Sequence, residues 1–533
     1  MEGIMDTTTT DTPITNAIEV TNPRTNEVLY SFEEPSPADV GEAYARARTA
    51  FETISSMSVR ERVAEISKLK KYLVEHKDEL AKRLMDEAGK CFTDAVLIDL
   101  FPSIDVLDYY EKHAEQHLAD KVVKATPMLL GKKCRIQYMP MGPVLVISPW
   151  NYPFLLSFVP AICAFLAGNS VIVKPASDTP LHGLYEEMIE ASGFMKDAIQ
   201  VVYASRKTAD LLIDAKPAKI MFTGSVGVGR RIMAKAAEYL IPVELELGGK
   251  DPFIVFDDAD LGRASDGALW GAFANAGQTC TGVERVFVQD TIHDRFVELL
   301  ADKAKRIVTP DKLPPDADER DLGMGCMTTE RQLKEVERQL ADAAAKGARI
   351  LTGGQRIGDT MIMPPTVVAD VDNTMMIQTE ETFGPAVTVV PFATEDEAIR
   401  LANDSPYGLS ASVWTGDAER GQRVARKLMA GMVCVNNHNA TGAHPGLPFG
   451  GVKDSGMGRY KGAHGLHSFS HIKAVVIDRN VAKPEGYWYP YSKEKTALLS
   501  KVLDTLFGPG GLKLPRVAPL ALKLESMAKK NRP

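Results

Sequence analysis

Val144-Leu145-Val146-Ile147-Ser148, Ser170-Val171-Ile172-Val173, Ile199-Gln200-Val201-Val202, Lys219-Ile220-Met221-Phe222 and the run from Pro242 to Leu245 are five short stretches rich in apolar and β-branched residues. Between them lie segments with apolar residues at helical spacing: Leu155 to Ala167, Leu181 to Ala191, Ala209 to Ile213 and Val228 to Leu240. Strands that are apolar throughout are strands buried on both faces, and a helix between consecutive strands supplies the crossover that parallel pairing requires. The stretch therefore predicts an α/β fold built on a doubly wound parallel sheet.

The rest of the chain is arranged around this unit. Upstream, residues 35 to 90 read as helical, with Ala43, Ala45, Ala47 and Ala50 leading into Phe51 and helical spacing from Val63 to Leu84. Downstream of Gly248-Gly249 a second α/β set begins at Pro252-Phe253-Ile254-Val255-Phe256. It continues through Val286-Phe287-Val288, Ala386 to Val390, Ser412-Val413-Trp414 and Met432 to Val435. No internal repeat is evident. A chain of 533 residues is too long for one ordinary core, so two or more domains are expected. Hydrophobic residues at 45% and charged residues at 25% are ordinary for a globular protein, and a net charge of -8 argues against a nucleic-acid surface. No apolar run reaches the length of a membrane span. The Thr- and Asp-rich start lacks the basic and apolar regions of a signal peptide and is expected to be a flexible tail over residues 1–18.

The C-terminal segment differs in character. From Lys493 to Pro533 there are nine Lys/Arg against three Asp/Glu, a net of +6 on an acidic chain. Leu498, Leu499, Val502, Leu503, Leu506 and Phe507 recur at helical spacing, Gly508-Pro509-Gly510-Gly511 stops that helix, and Val517, Leu520, Leu524 and Met527 predict a second. Residues 481–533 thus form a basic amphipathic extension, either a docked helix closing a subunit or a peripheral membrane contact; docking is the commoner use of such a face.

Cysteine and histidine spacing excludes other chemistries. Cys91, Cys134, Cys163, Cys280, Cys326 and Cys434 include no Cys-x-x-Cys pair, so neither a disulfide framework nor a zinc site is expected, and a reducing cytoplasm is the simple location. His438, His444, His464, His467 and His471 show no metal-ligand spacing, and no metal is expected. Cys280 stands apart. It lies in Asn275-Ala276-Gly277-Gln278-Thr279-Cys280-Thr281-Gly282, a small polar loop suited to a nucleophile. Glu246, 34 residues upstream in Leu245-Glu246-Leu247-Gly248-Gly249-Lys250, precedes a Gly-Gly break and could serve as a separate base.

The predicted strand ends carry further polar groups, and in a doubly wound sheet ligands bind beyond those ends. The first opens into Pro149-Trp150-Asn151-Tyr152-Pro153-Phe154, the second into Lys174-Pro175-Ala176-Ser177, and the fourth into Phe222-Thr223-Gly224-Ser225-Val226-Gly227-Val228-Gly229. An Asn amide can donate to an oxyanion, a lysine can reach a ribose or phosphate, and a small-residue turn offers a helix N-terminus to phosphate. Each alone also reads as ordinary turn chemistry. Together with Glu380-Glu381-Thr382-Phe383-Gly384-Pro385 and Pro448-Phe449-Gly450-Gly451-Val452-Lys453-Asp454-Ser455-Gly456-Met457-Gly458-Arg459, in this order, they closely resemble the aldehyde dehydrogenase superfamily from about Glu19 to Val476.

The resemblance implies an NAD(P)-binding doubly wound domain of residues 19–121 and 142–248, a catalytic α/β domain of 249–466, and oligomerisation strands in 122–141 and 467–480 that form a homodimer or homotetramer. It implies that Cys280 attacks an aldehyde as thiolate, that Asn151 and the Cys280 backbone N–H stabilise the oxyanion, and that Glu246 activates the water that hydrolyses the thioester. It places Lys174 and Ser177 at the adenosine ribose, Gly224, Ser225 and Gly229 at the pyrophosphate turn, Trp150 and Leu247 along the cofactor, Glu381 at the nicotinamide ribose and Phe383 by the ring. Tyr152, Leu155, Leu156, Val159, Thr279, Thr281 and Phe449 are expected to line the substrate tunnel. Many NAD-preferring members carry a glutamate where this chain has Ser177. Serine removes the repulsion of a 2'-phosphate, and Arg206 and Lys207 could add positive charge, so NADP as well as NAD is expected as cofactor. An apolar medium- or long-chain, or aromatic, aldehyde is the expected substrate. Two competing readings are a CoA-acylating dehydrogenase, against which Glu246 argues, and a catalytically silent protein on the same fold.

Overall fold

The computed structural model describes residues 17–206, 208–480, 482, 484–509 and 514–529. Most of the expected flexible tail lies outside these residues. Its last two do not: Ala17 and Ile18 open a strand, Ala17–Thr21, that pairs antiparallel with Val28–Glu33.

The quoted stretch forms β1 (Val144–Ile147), β2 (Val171–Lys174), β3 (Ile199–Val201), β4 (Lys219–Thr223) and β5 (Val243–Glu246). They pair parallel in the order β5-β4-β1-β2-β3. β1, buried along its whole length, lies between β2 and β4, so the chain winds outward from it in both directions. That reversal opens a crevice at the carboxyl end of the sheet. The helix Leu155–Leu166 is apolar on every side and buried at every residue, as a helix packed between layers must be. Helix formation upstream follows local chemistry: Ser36 and Ser58 close capping boxes with Asp39 and Glu61 at the starts of Pro37–Ser56 and Val59–Glu75.

The second set forms β6 (Asp251–Val255), β7 (Val283–Gln289), β8 (Arg349–Thr352), β9 (Thr366–Ala369), β10 (Ala386–Phe392), β11 (Ser410–Trp414) and β12 (Met432–Val435). Their order is β8-β9-β10-β7-β6-β11-β12, parallel except for β8. β8 and β9 are not among the strands expected from the sequence. The sequence reading also made the first sheet wholly parallel. In the structure β13 (Gly456–Met457) adds an antiparallel edge, Gly456 opposite Glu246. Gly456 has φ +120°, and a Cβ there would lie 1.9 Å from the Leu245 carbonyl oxygen, so only glycine permits this approach. The helix expected from Leu181 begins instead at Leu184, because Leu181 and Gly183 take left-handed backbone conformations.

The chain divides into two compact units. One comprises the residues up to Leu118 with Met139–His471 and holds both large sheets. The other comprises Ala119–Tyr138 and the chain from Ile472 onward. In the second, Lys121–Val123 and Lys133–Pro140 pair antiparallel in a three-stranded sheet with Ser470–Ile477. Two helices follow, Lys493–Phe507 and Leu514–Lys529. Leu498, Leu506 and Leu524 are buried, whereas Leu503 and Phe507 of the same predicted stripe are exposed.

Candidate active site

Two cavities within the first unit meet at Leu156 and Cys280. A cavity of about 450 Å³ lies beyond the carboxyl ends of β1, β2 and β4 and is lined by Trp150, Asn151, Lys174, Ser177, Gly224, Ser225, Glu246, Leu247, Glu381 and Phe383. A cavity of about 900 Å³ is lined by Tyr152, Leu155, Leu156, Thr279, Thr281 and Phe449. Cys280 lines both. The loop that presents it is held in an unusual backbone. Asn275 and Ala276 both have positive φ, and a Cβ on Gly277 would lie 2.1 Å from the Gly384 carbonyl oxygen. Gln278 anchors the turn by donating to the Asn275 and Cys326 carbonyls while accepting from the Thr328 N–H.

Cys280 is half-buried, and burial together with the carboxylates of Asp251, Glu381 and Glu246 pushes its thiol well above the usual range. The other five cysteines are not so placed: Cys163 meets the Tyr110 hydroxyl at 3.3 Å inside the core, Cys91, Cys326 and Cys434 are buried as well, and Cys134, in the strand Lys133–Pro140, lines neither cavity. Asn151 is buried, and its amide donates to the Gln278 carbonyl at 2.9 Å. Glu246, at the end of β5, is 2% exposed and neither carboxylate oxygen has a hydrogen-bond partner among the described residues. Burial and Glu244, two residues back on the same strand face, raise its carboxyl well above the ordinary value; Arg459 and Lys461 pull the other way.

The smaller cavity fits a dinucleotide. The buried Lys174 ammonium uses one bond, to the Pro175 carbonyl at 3.0 Å, and burial lowers it to about 8. Ser225 precedes the helix Val226–Ala237 without bonding to its backbone, leaving the N-terminal amides open to phosphate. Glu381 accepts from the Gly249 N–H at 2.9 Å and lies where a Gly248 side chain would be, with its carboxyl raised to about 8 by burial and by Glu284. Phe383 has φ +49° and meets Trp150 edge-on at 5.5 Å. Arg206 pairs with Asp178 at 3.5 Å beside Ser177, which offsets part of its charge; Lys207 lies outside the described residues.

Two expected site residues fall elsewhere. Val159 is fully buried in the core and lines neither cavity, because the helix turns its side chain away from the tunnel. Gly229 is also buried; a Cβ there would lie 2.7 Å from Leu247, so this glycine serves helix-to-sheet packing, not pyrophosphate approach. The sequence reading also missed several groups. Glu284 accepts from the Thr382 and Phe383 N–H groups and from Lys250, fixing the segment that carries Glu381. A glutamate inside the buried strand Val283–Gln289 was the available signal, since such a group needs partners. Lys461, Arg263 and Asp266 reach the larger cavity from segments remote in sequence. Arg263 and Asp266 are exposed at its rim and committed to Asn436 and Lys303, and the buried Lys461 donates to the Gly442 carbonyl at 2.6 Å.

A sequence model of the aldehyde dehydrogenase family matches residues 9–475 of this chain. The chain belongs to the aldehyde dehydrogenase family. It is an NAD(P)-dependent oxidoreductase. It is 38% identical over 493 residues to a 4,4'-diapolycopene aldehyde oxidase of Methylomonas sp, covering 92% of this chain and 91% of that one. It is 34% identical to the succinate-semialdehyde dehydrogenase [NADP(+)] 1 of Mycobacterium bovis, covering 86% and 99%. The Mycobacterium tuberculosis aldehyde dehydrogenase complexed with NAD+ superposes on this dehydrogenase with a TM-score of 0.82 at 32% identity, covering 88% and 96%. The α/β architecture is thus that of solved members of the family. Among the described residues no group of side chains could hold a metal ion, and no helix is long and apolar enough to cross a membrane.

Proposed function

We propose that this enzyme oxidises an apolar medium- or long-chain, or aromatic, aldehyde to the carboxylic acid through a thioester on Cys280. What supports this is the position of Cys280 at the junction of a smaller, more polar cavity and a larger, mainly apolar one. The Cys280 thiol gives its proton to bulk water and its sulfur bonds to the aldehyde carbon, moving the carbonyl π pair to oxygen. Asn151, released from the Gln278 carbonyl, donates to that oxyanion. The chemistry a bound nicotinamide supplies is hydride acceptance, which leaves a thioester on Cys280. Glu246 takes a proton from water as the water oxygen bonds to the acyl carbon; the carbon–sulfur bond then breaks and the thiolate returns. A free, unpartnered carboxylate in Glu246 supports hydrolysis over acyl transfer to CoA.

The substrate class rests on the larger cavity. Its volume of about 900 Å³ is near the upper end for small-molecule sites, and its walls include Leu97, Phe101, Leu155, Leu156, Trp270 and Phe449. Of its charged groups, Asp266 pairs with Lys303, while Arg263 and Lys461 donate to backbone carbonyls. Each buried methylene contributes about 0.8 kcal/mol, roughly fourfold in kcat/KM at most. A ladder of straight-chain aldehydes assayed by NAD(P)H absorbance is expected to show kcat/KM rising with length until the cavity is filled. A maximum at short-chain or charged aldehydes, succinate semialdehyde included, would overturn this assignment.

Ser177 supports the use of both nucleotides. Ser177→Glu is expected to lower kcat/KM for NADP by at least about tenfold, a repulsion of roughly 1.4 kcal/mol in a half-solvated site, while sparing NAD. Equal effects on both nucleotides would place the 2'-phosphate elsewhere.

The strands around Arg135–Tyr138 and Ala474–Ile477 are proposed as the contact of a homodimer or homotetramer. A membrane role for the C-terminal extension is supported by the exposure of Trp488, Tyr489, Tyr491 and Phe507 beside its basic residues. Co-sedimentation with anionic vesicles at low salt tests it: the full chain is expected to bind and a chain ending at Tyr491 to bind less. Equal binding would remove residues 492–533 from any membrane function.

A further inference from the structure

Lys90 is a buried cation that the reaction outlined above does not use. It is 2% exposed, yet its nearest partner is not an acid: the ammonium donates to the Asn151 backbone carbonyl at 2.5 Å and lies 3.4 Å from Asp99, which is fully buried. The Asn275 side-chain amide donates to the same Asn151 carbonyl at 3.2 Å. Lys90 also sits 3.9 Å from the ring centroid of Tyr152, whose hydroxyl meets the Thr279 hydroxyl at 2.5 Å, one residue from Cys280. Asp99 is brought in by a π-helical turn, Ala95–Leu100, and accepts from the Leu155 N–H at 2.6 Å.

Burying an ammonium is costly unless it is paired and hydrogen-bonded, and a simple core would be filled more cheaply by an apolar side chain. The geometry shows what the charge holds: the backbone of Asn151 from one side, the ring of Tyr152 from another, both at the start of the segment that faces Cys280. Single-turn π-helices recur at functional sites for such re-aiming of side chains.

We propose that Lys90 is a positioning residue, whose ammonium fixes the Asn151 backbone so that the Asn151 amide is held ready for the oxyanion on the Cys280 adduct. It rests on the reading of Asn151 as oxyanion donor. Lys90 touches neither cavity and moves no proton; it acts through Asn151, with Asp99 balancing its charge.

A double-mutant cycle in the full-length enzyme tests this, using Lys90→Met, Asn151→Ala and both together. The readout is the pre-steady-state rate of NAD(P)H formation from a straight-chain aldehyde, with KM and nucleotide affinity measured alongside. Lys90→Met alone is expected to slow the burst about tenfold or more with nucleotide affinity unchanged and KM nearly so. In the Asn151→Ala background the same substitution is expected to cost less than about twofold, because the group it positions is gone. Equal fold losses in both backgrounds overturn the proposal alone. An unchanged rate in Asn151→Ala overturns the oxyanion reading and the proposal with it. If Lys90→Met is poorly folded, Lys90→Met/Asp99→Asn, which removes both members of the ion pair, replaces it in the cycle with the same two outcomes.

Discussion

Cys280→Ala lowers kcat/KM for aldehyde oxidation by about 10⁴-fold or more, an increase of roughly 5.5 kcal/mol in the activation barrier. No other group at the junction of the two cavities can form the covalent adduct. The nearest alternatives in kind, Cys163 and Cys326, are buried and line neither cavity. The loss therefore belongs to kcat, with nucleotide affinity nearly unchanged, since the nucleotide contacts proposed above come from Lys174, Ser225 and Glu381. NAD(P)H absorbance and nucleotide titration measure the two quantities. Retention of more than about one percent of activity, against the large loss expected for a nucleophile, would mean that Cys280 is not one.

Glu246→Gln has the second large effect, and of a different kind. Steady-state turnover is expected to fall by about 10² to 10⁴-fold, the size of a general-base contribution, while a first burst of NAD(P)H close to one per active site persists. The pH dependence follows from the raised carboxyl of Glu246. A base works only when ionised, and a raised carboxyl is protonated below its elevated pKa. Wild-type hydrolysis thus climbs as pH rises through that range and is lost as pH falls through it. The elevated Cys280 thiol gives acylation the same sign. Glu246→Gln removes the Glu246 limb from turnover and leaves the thiol limb in the burst. A burst lost in parallel with turnover would assign Glu246 to an earlier step.

How much of this was legible in the sequence depended on range. The five strands and their helices followed from continuous apolar runs, because strands buried on both faces leave a dense local signal. The antiparallel edge at Gly456–Met457 left none: a two-residue pairing has no period, and its glycine looks like any turn glycine until Leu245 is placed beside it. The same contrast holds in the site. Cys280, Glu246 and Asn151 stood out because each occurs in a motif with small or turn-forming neighbours. Lys90, Asp99 and Glu284 did not, since their meaning lies in partners between 9 and 100 residues away in sequence, such as Asn151 for Lys90 and Thr382 for Glu284. Val159 and Gly229 failed in the opposite direction. Each sits in a motif that faces a cavity, but the helical turn points Val159 inward, and close packing on Leu247 occupies Gly229.

The extension after Ile477 marks another boundary of sequence reasoning. Its apolar stripe predicted two helices, and two helices form, yet only part of the stripe is covered. Periodicity reports that a face is apolar, not what the face meets.

The most direct measurement is mass spectrometry of Glu246→Gln quenched after one turnover with a straight-chain aldehyde and NAD(P)+. A thioester on Cys280 awaiting Glu246-activated water gives a mass increase of one acyl group. It should map to the peptide containing Cys280, be sensitive to hydroxylamine, and be absent when nucleotide is left out. An adduct on another cysteine, or an unmodified Cys280 after a full burst of NAD(P)H, would contradict it.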